Sequence, residues 1–72
     1  MTCGSGTLGT STATVVTDAN VTTGSVVIVQ ATNADFVGLS PIPYVSAKSS
    51  GSFTLTHGDA DGDETFDYLV VN

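Results

Sequence analysis

Apolar residues in this chain fall in short runs, some alternating with polar residues, and nowhere hold the three-and-four spacing of a helix face, so the pattern reads as strands. Residues 52–56 (SFTLT) are the cleanest case. Phe53 and Leu55 fall on one side of an extended chain, with Ser52, Thr54 and Thr56 on the other. Residues 11–17 (STATVVT), 24–31 (GSVVIVQA), 44–48 (YVSAK) and 65–71 (TFDYLVV) are the other strands, with residues 21–23 a short strand or bridge. Asp18-Ala19-Asn20 reads as a turn, and Ser49-Ser50-Gly51 as the tight turn of a β-hairpin. The longest helix candidate, residues 31–37, is interrupted by Asn33 and stopped by Gly38, with Pro41 and Pro43 close behind. Residues 33–43 are therefore a loop with at most one helical turn. The expected fold is all-β: a small antiparallel β-sandwich or jelly-roll-like domain of five or six strands over residues 11–72. The Gly/Ser/Thr-rich residues 1–10 are expected to form an extended, flexible N-terminal arm before it.

Two strands are apolar on both faces. Val26 and Ile28 alternate with Val27 and Val29, and Phe66, Tyr68 and Val70 alternate with Leu69 and Val71. A sandwich of this size covers one face of each strand, and an uncovered VVIV run is a β-prone, uncharged aggregation hazard. We therefore assign Val27, Val29, Leu69 and Val71 to contacts between copies of the chain.

Composition points the same way. A chain of 72 residues buries a small core, and such chains usually carry a disulfide, a metal or a partner as a staple. Cys3 is the single cysteine, which excludes an intrachain disulfide, and with His57 as the single histidine no zinc cluster can assemble. Partner chains remain, in a homotrimer or a dimer. Seven acidic residues face one cation, Lys48, so neither nucleic acid nor an anionic membrane is an expected partner. The opening MTCGSGTLGT has neither a basic n-region nor an apolar h-region, so no secretory signal is expected.

Little in the sequence suggests chemistry. Asp59, Asp61 and Asp63 place carboxylates at alternate positions of residues 57–64, a weak candidate for calcium. The next position is Glu64 where an EF-hand loop has glycine, and the expected role of these charges is to solvate a loop. His57 beside them reads as an exposed loop residue. The CGSGTLG run has no preceding strand, following helix or lysine of a phosphate loop. No catalytic residue and no cofactor is expected.

Five stretches, taken in order, resemble a family. Ala13 to Val21 (ATVVTDANV) gives a strand and a D-x-x-V turn, and Ser25 to Val29 (SVVIV) an apolar strand. Tyr44 to Lys48 (YVSAK) with Gly51 to Leu55 (GSFTL) gives a hairpin, and Phe66 to Val70 (FDYLV) a closing F-x-Y-x-V strand. Together they resemble a short β-domain of tailed-phage structural proteins. The resemblance implies a trimerising β-sandwich on tail fibres, tail spikes or capsid surfaces. With no fibre shaft in this sequence, the expected role is a capsid decoration or cement protein on the virion surface. It would bind the major capsid protein through an arm that includes Thr2, Leu8 and Thr10. The alternative is a tail-fibre or spike tip that binds a host glycan through residues 33–43 and 57–64.

Overall fold

A computed structural model describes residues 2–72. Six strands and one helical turn follow one another: β1 (Thr2–Thr7), β2 (Ala13–Thr17), β3 (Val26–Ala31), α1 (Ala34–Val37), β4 (Tyr44–Ser49), β5 (Ser52–Thr56) and β6 (Thr65–Val71). They form two three-stranded antiparallel sheets, β1-β6-β3 and β2-β5-β4, which pack as a small β-sandwich. Only β4 and β5 form a hairpin within one sheet. Gly51, with φ of 88°, makes its turn, which the absence of a Cβ permits. α1 is a single helical turn, the most that the loop was expected to hold. The Asn33 side chain caps it, accepting from the Phe36 N–H at 3.1 Å.

The largest departure from the sequence reading is β1. Residues 2–7 are not an arm but an edge strand, with Thr2 opposite Val70 and Thr7 opposite Thr65. Met1 lies outside the described residues. The pairing has a steric cause. Gly4 stands opposite Tyr68 and Gly6 opposite Phe66. A Cβ at Gly4 would lie 2.6 Å from the Tyr68 hydroxyl oxygen, and one at Gly6 would lie 2.8 Å from the Phe66 ring. The two rings of β6 lean over the bare glycines, and each glycine regains the cover that its missing side chain forfeits.

The core lies between the sheets. Leu8, Val21, Phe36, Phe53, Leu55, Ala60, Phe66, Tyr68 and Val70 are buried, and Val16, Val27, Val29, Leu39 and Val45 pack against them. Phe53 meets Tyr68 edge-on across the sandwich at 5.1 Å, and Phe36 closes one end against Phe66 at 5.8 Å. Val27 pairs with Val70 and Val29 with Tyr68, so these valines share the inward face of β6. That register corrects their assignment to contacts between copies: the chain's own core takes them.

Candidate functional site

The two outer faces of the sandwich differ in chemistry. On the β2-β5-β4 sheet, register brings Ala13, Val15 and Thr17 beside Thr56, Thr54 and Ser52, with Tyr44 and Ala47 beyond. Thr56 Oγ1 donates to Ser46 Oγ at 2.7 Å, so hydroxyls here bond one another. Among these hydroxyls the face also exposes Val15, at 64%, and Tyr44, at 52%, and β4 is guarded at its edge by a bulge between Val45 and Ala47.

The β1-β6-β3 sheet presents ordered rows instead. Cys3, Leu69 and Ile28 lie side by side, and Ser5, Asp67 and Gln30 form the next row. Beyond Leu69, Val71 pairs with Val26. Ile28 is 53% exposed and Val26 55% exposed, while Leu69 and Val71 are half-buried. Cys3, Ile28, Gln30, Asp67 and Leu69 line an open concavity of about 340 Å³. The face therefore runs from an aliphatic half to a half that carries one carboxylate and one amide. Of the four residues assigned to contacts between copies, Leu69 and Val71 lie here. Their neighbours are Val26 and Ile28 rather than Val27 and Val29.

The expected anchoring residues do not form a free arm. Thr2 points inward from β1, Leu8 is 1% exposed in the core, and Thr10 is exposed in the β1–β2 connection. The acidic loop also differs from expectation. Glu64 is 2% exposed and turns back into its own loop, accepting from the N–H groups of Asp61 and Gly62 at 3.2 and 3.1 Å. Burial works against its charge, but these N–H bonds outweigh burial and hold the carboxyl below its ordinary value. Asp59, Asp61 and Asp63 are exposed around it. Among the described residues, no three acidic, histidine or cysteine side chains gather as a metal site. Glu64 organises the loop through these bonds to its own backbone.

His57 is 1% exposed, not an exposed loop residue. Its Nδ1 lies 2.7 Å from the Gly58 carbonyl, which can only accept, so Nδ1 carries the proton. In the uncharged ring Nε2 then accepts from Thr14 Oγ1 at 2.9 Å, and Thr14 accepts from the Gly9 N–H at 3.0 Å. The His57 backbone N–H donates to Thr12, and that of Gly58 to Pro41. His57 thus ties the β1–β2 connection to the acidic loop and to residues 33–43. Both ring nitrogens are occupied, Nδ1 by the Gly58 carbonyl and Nε2 by the Thr14 hydroxyl.

At the opposite end, Asp18 accepts from the Asn20 N–H at 2.9 Å and from the Tyr68 hydroxyl at 2.8 Å. The Asn20 bond and then the Tyr68 bond hold the Asp18 carboxyl below its ordinary value. Burial, and then Asp18, push the Tyr68 hydroxyl up, which makes it a poorer acid. Lys48 Nζ donates to the Ser25 carbonyl and so joins the two sheets. These polar pairs are ties between elements. Compared with protein-family models, with curated proteins and with solved structures, the chain gives no match.

Proposed function

We propose that this chain is a non-enzymatic structural module that works by docking, in the setting of a phage capsid decoration protein seated on the major capsid protein. The observation that supports docking most is the outer face of the β1-β6-β3 sheet, where Val26, Ile28, Leu69 and Val71 form one apolar patch on a small domain. The phage setting rests on the order of the five sequence stretches. Anchoring passes from an arm to this face, because β1 is committed to its own sheet. The edges of β1 and β3 carry no charge, proline or bulge, so copies pair edge to edge as a trimer or dimer and leave the face for the shell. Purified particles test the reading. The chain should be present in proportion to the shell protein, and its recovery only in the soluble fraction would overturn the proposal.

A second reading is favoured by one observation. Residues 33–43 and 57–64, the loops expected to bind a glycan at a fibre tip, meet at one end of the sandwich. Asn33 Nδ2 donates to the Asp63 carbonyl at 2.8 Å, and Gly58 N–H to the Pro41 carbonyl at 2.9 Å. Copy number in proportion to tail proteins would select this reading.

A further inference from the structure

We infer that the outer face of the β1-β6-β3 sheet receives a segment of a different protein, one that lays an aliphatic side chain on Ile28 and Leu69 and brings a Lys or Arg to Asp67 and Gln30. The inference rests on the docking reading and names the chemistry of the partner. The face is graded: the aliphatic row Leu69–Ile28 stands two residues along the strands from the row Asp67–Gln30, a separation of ~7 Å. A basic side chain has the same gradation, with an apolar stem and a charged head. The concavity of about 340 Å³ lies between the two rows and is open to solvent.

A second copy does not fit this face. The chain has one Lys or Arg among its 72 residues, and that residue, Lys48, is bonded to the Ser25 carbonyl. Among the described residues a second copy has no other Lys or Arg to offer Asp67. Two such faces meeting about a two-fold axis would set like carboxylates in one interface, between chains of formal net charge −6. Copies therefore meet elsewhere, and the cation comes from another protein.

The test uses the folded chain and three small probes that share a four-carbon stem: n-butylguanidinium, n-butanol and n-pentanoate. Amide shifts are followed by nuclear magnetic resonance. Butylguanidinium should move the amides of Ile28, Gln30, Asp67 and Leu69, and should bind about threefold tighter than butanol, the scale of one exposed ion pair. Pentanoate should leave those amides in place. Asp67→Asn, at an exposed position, should bring butylguanidinium down to the level of butanol. Equal binding of the three probes, perturbation centred elsewhere, or an unchanged preference in Asp67→Asn would overturn the inference. So would concentration-dependent shifts of the same amides without probe, which would mark a second copy as the occupant. Particle capture separates this inference from the reading beneath it. If Ile28→Asp is captured like the wild type, face docking fails. If Ile28→Asp is lost and Asp67→Asn retained, only the basic partner fails.

Discussion

At the scale of single residues, several side chains hold the fold by filling positions that tolerate no other group. Gly4 sits under a Tyr68 ring that packs on Phe53 and bonds Asp18, so the ring has no free direction in which to yield. Gly4→Ala should cost about 1–3 kcal/mol, read as a lower urea midpoint. Gly58→Ala should cost more, because its Cβ would lie 2.5 Å from the backbone oxygen of Ser40. Thr14→Val removes the donor to a buried His57 Nε2 and should cost ~1–3 kcal/mol by the same measurement. Glu64 and Asp18 set the acid limit. Their carboxyls lie below the ordinary values of 4.5 and 3.8, so the stability they contribute is complete above those values and is lost as pH falls through the lower folded ones. The urea midpoint should stay level down to about pH 4.5 and then fall. In Glu64→Gln the midpoint should start lower at neutral pH and fall less.

At the scale of elements, β1 decides whether β6 is covered. Removing residues 1–7 should abolish cooperative unfolding, because Phe66 and Tyr68 lose the glycines they cover. Loss of a free arm would leave the transition unchanged. β5 was legible because its side chains alternate in character, β2, β3, β4 and β6 because they are rich in β-branched and aromatic residues, and the hairpin was legible from Gly51. β1 was not, because TCGSGT carries no apolar alternation. Its signal was relational: glycines two apart at 4 and 6, matching aromatics two apart at 66 and 68. The choice of faces was illegible for a similar reason. VVIV is apolar on both sides, so only its register with β6 decides that Val27 and Val29 point inward. His57 and Glu64 were read as loop residues because burial of a polar side chain depends on partners distant in sequence, here Thr14 for His57.

At the scale of the whole molecule, the inward and outward faces separate folding from assembly. Val27→Asp should unfold the single chain, because it sets an unpaired charge against the core at a partly buried position. Ile28→Asp should leave the unfolding free energy within about 0.5 kcal/mol of the wild type and act on docking alone. Circular dichroism and light scattering on the two variants check both outcomes. If the partner is basic, docking should also weaken as salt rises from 0.05 to 0.5 M, roughly, since one Debye length at the upper end no longer spans the interface.

The bond from Lys48 to the Ser25 carbonyl has a practical consequence. Trypsin cuts after lysine or arginine, and this chain offers it one internal bond, Lys48–Ser49, within β4. A protease needs that strand peeled from β5 and its lysine released from the opposite sheet. Where opening and reclosing are fast, the rate of that single cut reports the fraction of molecules that have opened. The chain thus carries its own stability gauge. A mixture of Gly4→Ala, Thr14→Val and wild type should be cleaved in order of lost stability, without denaturant or label.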